Sequence, residues 1–362
     1  MRDASDNSRP IRVLYCILDN RFGGPHRLAH ATARRLRARG VETVFLLGYK
    51  AGQAWTPDGF QAYSLTNIQL CQRRRPLLNL LRFCCWLPLN LARMRRIIRS
   101  ERIDVVRVDG VTNFVPALAA ALTRTPIVWH YNDHPPRLLR GALMPLAGAL
   151  SAAVTVQGEK LRDSRTAAGS RLREKTVVVY PGVDLSEFDP SGRDAGTRAG
   201  LRKELGIPPD CPLVGAIGNL NRFKGHTYFI RAARRIKERI PDARFIVVGR
   251  ELDTDRAYWE QLQRLTVECG LERDVVYAGF RRDIPSMLSI MDVFVLASVL
   301  ESCPNVLLEA MAMRVPVVAT DVGAVTELVT DGCTGLVTPP HDAEAIAGAV
   351  VTILSGPRSR AV

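Results

Sequence analysis

The stretch PLVGAIGNLNRFKGHTYFIRAARRIKERI, residues 212–240, reads as an apolar run, a short polar loop and then apolar residues at three- and four-residue spacing. Residues 212–218 are apolar or small throughout, as in a strand buried on both faces. The spacing from Tyr228 onward fits a helix with one covered face. Strand, tight loop and covering helix together form the repeating unit of a parallel α/β sheet.

The same alternation extends in both directions. Before this unit, strands are expected at 11–17, 42–48, 104–108, 126–130, 152–157 and 175–180. Within and after it they are expected at 212–218, 243–249, 274–279, 292–298 and 315–320. Residues 181–210 interrupt the pattern with four prolines and five glycines, and carry a short helix near 199–205. The expected organisation is a first domain at 1–185, a linker at 186–210 and a second domain at 211–362. Both domains read as doubly wound parallel sheets. Ligands of such sheets sit beyond the carboxyl ends of the strands, so a cleft between two facing domains is the expected site.

Composition narrows the partners. The chain has 362 residues, is 47% hydrophobic and carries a net charge of +14 from 44 arginines and 6 lysines. Arginine- and alanine-heavy usage is what a genome's base composition alone can produce, so part of that charge carries no functional meaning. The rest favours anionic partners such as phosphates or an acidic lipid surface. Nucleic acid is not expected, because no zinc-finger spacing, RNA-binding aromatic signature or dense basic tail occurs. The eight cysteines are scattered without a CxxC pair, as in a reduced cytoplasmic protein. The polar start MRDASDNSRP lacks a signal-peptide core. The uncharged run 141–158 reads as a helix entering a strand, not a membrane span.

Five stretches could carry chemistry. In GAIGNLNRFKGH, 215–226, Arg222 and Lys224 precede a helix N-terminus, whose free N–H groups and dipole favour an anion. That arrangement suits a diphosphate, or else is a solvated basic loop. In ESCPNVLLEA, 301–310, Glu301 and Glu309 stand eight positions apart around Pro304. Pro304 suits the first helical turn, with Ser302 or Cys303 as cap. A helix start between the acids would let both meet ligand hydroxyls. In DNRFGGPHRLAHATARRLRARG, 19–40, Gly23 and Gly24 could let backbone approach a ligand closely. There is no GxGxxG, so a dinucleotide site is disfavoured. His26 and His30 lie one turn apart but lack a third ligand, so no metal is expected. His130 ends the strand at 126–130 and could orient a substrate, though buried histidines at such places are commonly structural. Finally, 71–102 holds nine arginines and one acid, Glu101, interleaved with leucines, Phe83 and Trp86. It suits a helix lying on an anionic membrane face, or one covering the first sheet with its arginines in solvent. Pro88 is expected to divide it into two pieces.

These residues resemble the retaining glycosyltransferases of family four. NRFKGH, the ESCPNVLLEA stretch with its trailing PVVATDVG…EL, the FGGPHRLAHATARRLRARG loop and VVYPGVDLSEFDP carry the likeness over nearly the whole chain. The resemblance implies the GT-B fold, two Rossmann-like domains facing across a cleft, a nucleotide-sugar donor as substrate, and neither cofactor nor metal. It implies that Arg222 and Lys224 hold the donor diphosphate, Glu309 the ribose and Glu301 the sugar. It further implies His130 beside the transferred sugar, with Gly23 and Gly24 in the loop that closes on the diphosphate. Asn219 stands where members often carry arginine, and Arg222 is expected to compensate. Pro181 replaces the usual asparagine. The family's terminal helix crossing to the first domain is expected to be short or absent, since the sequence ends at Val362. The implied activity is sugar transfer to a glycan or lipid-linked acceptor in surface polysaccharide or glycolipid synthesis. From the cysteines, the polar start and the basic apolar segment 71–102, the expected location is cytoplasmic, peripheral to the inner membrane face. A nucleotide-sugar epimerase or a non-catalytic nucleotide-sugar-binding subunit would share the same motifs.

Overall fold

A computed structural model describes residues 9–18, 24–48, 57–65, 76–110, 112–132, 137–165, 171–192, 195–252 and 255–356. The chain divides after Tyr180 into two compact units.

The first unit holds seven strands: β1 (Ile11–Ile17), β2 (Val41–Gly48), β3 (Gln61–Leu65), β4 (Val105–Asp109), β5 (Ile127–Tyr131), β6 (Ala153–Val156) and β7 (Thr176–Val178). Their order is β3-β2-β1-β4-β5-β6-β7, and every pairing is parallel. Alternate residues of β1 leave on opposite faces, as strand geometry requires. Leu14 and Cys16 join one core with Val106, Trp129 and Met94. Tyr15 and Ile17 pack with Phe45 against Ala29 and Ala33 of helix α1 (Gly24–Arg37). The other helices are α2 (Pro76–Ser100), α3 (Phe114–Leu122), α4 (Arg137–Leu150), α5 (Glu159–Arg165) and α6 (Arg171–Glu174).

Pro88 does not divide the 71–102 segment: α2 runs unbroken through it for 25 residues. An interior proline removes one backbone bond and crowds the preceding turn. Here Pro88 lies on the exposed side. Phe83 before it and Met94, Ile97 and Ile98 after it are buried in one core, which holds both halves to the same sheet. Residues 71–75 lie outside the described residues.

The second unit has β8 (Leu213–Ile217), β9 (Arg244–Val248), β10 (Val275–Gly279), β11 (Val293–Leu296), β12 (Val317–Thr320) and β13 (Leu336–Thr338), ordered β10-β9-β8-β11-β12-β13 and all parallel. Helices α7 (Ala195–Glu204), α8 (His226–Arg239), α9 (Arg256–Glu268), α10 (Ile284–Ser289), α11 (Asn305–Ala312), α12 (Val325–Leu328) and α13 (Ala343–Ser355) cover both faces.

Two edge strands, β3 and β13, were not expected from the sequence. Neither reads as a continuous apolar run, because an edge strand is covered less completely. Residues 181–210 pack into the second unit, with Phe188, Leu201 and Ile207 in its core. Arg202 fastens the segment. Its buried guanidinium donates to the carbonyls of Pro208, Pro209, Cys211 and Ile290 and pairs with Asp292 at 3.0 Å. Asp292 Oδ2 also accepts from the Leu213 amide, which ties α7 to the start of β8.

Candidate functional site

In the second sheet the strand order reverses between β8 and β11. The loops leaving these neighbouring strands are 218–225 and 297–304, so two motifs far apart in sequence meet at one place.

The first loop is shaped by its own residues. Asn221, with extended backbone, caps a 3-10 turn at Arg222–Lys224, its Oδ1 accepting from the amides of Phe223 and Lys224 at 3.0 and 3.3 Å. Gly225 then takes φ 62°, and a Cβ there would lie 1.9 Å from the Ala297 carbonyl oxygen. Only glycine permits both that backbone and that approach. The Phe223 carbonyl accepts from the Val299 amide at 2.8 Å, stitching the two loops together. Thr320, at the end of β12, donates its hydroxyl to the carbonyls of Leu296 and Ser298. Gly323, at φ 55°, passes so close to the second loop that a Cβ would meet the Ser302 carbonyl oxygen at 2.4 Å.

Within this frame Lys224 Nζ lies 2.6 Å from Glu301 Oε1, and Ser298 Oγ donates to the same oxygen at 2.8 Å. Both charged side chains are largely covered, at 26% and 12% exposure. Arg222 points elsewhere. Its side chain is 73% exposed, with Nε 4.0 Å from Asp255 Oδ1. The two cations expected to act together therefore occupy different settings.

Helix α11 begins at Asn305, four residues after Glu301, and Glu309 lies four residues further on, half-buried. The helix start thus falls between the acids, as expected. The expected cap does not form. Pro304 itself holds the cap position, with no side-chain hydrogen bond, and Ser302 and Cys303 are buried before it. Burial first, and then the Glu301 and Glu327 carboxylates, push the Cys303 thiol up to about 12, so it stays protonated.

Three polar groups here had no sequence signal of their own. Ser298 holds Glu301. Asn305 buries its side-chain oxygen without a partner among the described residues. His226 is buried beneath the loop, with Nε2 3.2 Å from the Gly218 carbonyl oxygen. Burial, opposed by backbone acceptors at Gly218 and Asn219 and aided by Lys224, lowers its pKa to about 4. The ring is neutral at pH 7.

In the first unit His130 is buried near the carboxyl end of β5. Its Nδ1 lies 2.9 Å from Oγ1 of Thr155, the residue opposite it on β6. Opposite it on β4 stands Asp109, paired at 3.0 Å with Arg107, whose guanidinium lies over the Tyr15 ring. This buried pair was not anticipated either; Arg107 reads as one polar interruption of a strand. Gly24 is the first residue of α1. Gly23 lies outside the described residues.

Residues 22–187 match the family profile described as Glycosyltransferase Family 4, and residues 211–356 the profile described as Glycosyl transferases group 1. The chain is 30% identical over 292 residues to an alpha-D-kanosaminyltransferase from Streptomyces kanamyceticus, covering 76% of this chain and 73% of that one. It is 33% identical over 192 residues to the lipopolysaccharide core biosynthesis mannosyltransferase LpsB of Rhizobium meliloti, covering 52% and 53% respectively. Its fold matches that of Anabaena Alr3699/HepE, solved in complex with UDP and glucose. The TM-score is 0.81 at 24% identity, over 96% of this chain and 90% of that one. The two parallel sheets are those of the GT-B fold.

Proposed function

This chain belongs to glycosyltransferase family 4, and from that premise we propose that it moves a sugar from a nucleotide-sugar donor to a glycan or lipid-linked acceptor, with retention at the anomeric carbon and without a metal ion. The observation that carries this reading is the Lys224–Glu301 pair at the switch point of the second sheet. It supplies a cation for a diphosphate and, once that cation turns to the phosphates, a carboxylate for sugar hydroxyls.

As the sugar–phosphate bond breaks, negative charge grows on the departing diphosphate and positive charge on the sugar ring. Lys224, Arg222 and the N-terminus of α11 stabilise the leaving group. These cations do the work that a divalent ion does elsewhere, Lys224 already in place and Arg222 turning in from its solvent-facing position when the donor binds. Glu309 accepts from the ribose hydroxyls, and His130, held by Thr155, lies beside the transferred sugar. Gly23 and Gly24 let the first loop approach the diphosphate. No described side chain is set up as a covalent nucleophile, so the diphosphate takes the acceptor's proton on the same face. The location is cytoplasmic, with peripheral membrane contact where the acceptor is lipid-linked.

The test is a screen of nucleotide sugars by thermal shift, followed by release of nucleoside diphosphate in the presence of EDTA. Acceptor-dependent release that EDTA leaves unchanged supports the reading. A changed sugar formed without acceptor would mark an epimerase. Binding without turnover, indifferent to Glu301→Gln, would mark a non-catalytic subunit.

A further inference from the structure

Glu301 is held at a single oxygen by two donors that differ in how freely they can leave. Lys224 Nζ, 2.6 Å away, stands at the end of a flexible four-carbon stem. Ser298 Oγ, 2.8 Å away, belongs to a short, buried side chain. Both meet Oε1, so neither occupies Oε2.

The backbone around Ser298 is fixed from several sides. Its carbonyl accepts from the hydroxyl of Thr320, which is itself fully buried. The next amide, of Val299, donates to the Phe223 carbonyl at 2.8 Å. The preceding carbonyl, of Ala297, lies so close to Gly225 that a Cβ there would stand 1.9 Å from its oxygen. An anion arriving at the 218–225 loop can therefore draw off the ammonium of Lys224 but not the hydroxyl of Ser298. Departure of Lys224 leaves Glu301, only 12% exposed, without its cation. A carboxylate so covered is costly unless it keeps a hydrogen bond.

We propose that Ser298 is a positioning residue, which keeps Glu301 in place after Lys224 turns to the phosphates of the donor. This role rests on the transfer reading only for the event that draws Lys224 away. Oε1 then stays with the serine, and Oε2 is offered to the hydroxyls of the sugar. Without the Ser298 hydroxyl, Glu301 follows the ammonium or turns to solvent. The sugar loses its acceptor while the diphosphate keeps its cation. Ser298 thus matters to a donor that carries a sugar and not to the bare nucleoside diphosphate. A serine that merely supported the loop would weaken both alike.

The first test needs no ligand. In crystals of the full chain carrying Lys224→Met, which imitates withdrawal of the cation, Glu301 Oε1 should stay within hydrogen-bond distance of Ser298 Oγ. With Ser298→Ala added, Glu301 should leave that position. Displacement in the single variant, or no movement in the double one, overturns the proposal. The second test keeps Lys224 and so does not depend on the fold tolerating its loss. Ser298→Ala is titrated by calorimetry with UDP and UDP-glucose, and with GDP and GDP-mannose. Affinity for the diphosphates should be unchanged. Affinity for the matching sugar donor should fall on the order of tenfold, the worth of one hydrogen bond to a charged group. Equal losses for diphosphate and sugar donor, or no loss for either, would also overturn it. Wild-type chain that binds none of these probes, beside a Glu301 that stays on Ser298 in the first test, would sink the transfer reading and leave the positioning role standing.

Discussion

Lys224 and Glu301 hold each other at 2.6 Å, so the cation that a diphosphate needs is already occupied. Donor binding must exchange one charge-assisted bond for others. Lys224→Glu should therefore lower nucleoside diphosphate affinity on the order of a hundredfold, read by titration calorimetry. Glu301→Gln should lower kcat by about a hundredfold with a smaller effect on KM, if its carboxylate acts where charge develops. His226 gives a stability prediction with a definite sign. Its pKa falls from 6.5 in the unfolded chain to about 4 when folded, because burial disfavours the charged ring. Its stabilising effect is complete above pH 6.5 and is lost as pH falls toward 4, by about 3 kcal/mol. His226→Gln should flatten the stability profile across that window in urea titrations. The acids and cations of the site were legible as residue types. Their partners were not, because Lys224 and Glu301 are 77 positions apart and Ser298 looks like any loop serine.

Elements show the same division. Helix α8 is readable from its periodicity, but the turn before it depends on contact with the loop that leaves β11. Gly225 needs φ 62° and stands against the Ala297 carbonyl. Gly225→Ala should cost at least about 1–3 kcal/mol in chemical denaturation and weaken nucleotide binding as the loop shifts. Helix α2 shows the converse. A proline rule read locally divides it, yet burial of Phe83 and Met94 in one core keeps it whole. The edge strands β3 and β13 carry no continuous apolar signature in the sequence, because they are incompletely covered.

For the whole molecule, the division after Tyr180 gives each unit its own sheet and cores. Residues 181–362 expressed alone should melt as one cooperative unit and retain a nucleotide-induced thermal shift. Arg202→Ala should destabilise that unit by about 3–5 kcal/mol, because it strips several carbonyls and Asp292 of a buried partner. A melt that left it unchanged would deny Arg202 its role in fastening 195–211. The sequence by itself determined the α/β alternation, the parallel character of the sheets and the identity of the charged motifs, because burial on both faces and helical periodicity are written locally in residue order. Only the tertiary structure decided that residues 181–210 belong to the second unit, that α2 is continuous, and that Lys224 rests on Glu301 and Ser298 while Arg222 faces solvent. Those facts follow from strand order and from packing between segments distant along the chain, which no local pattern encodes.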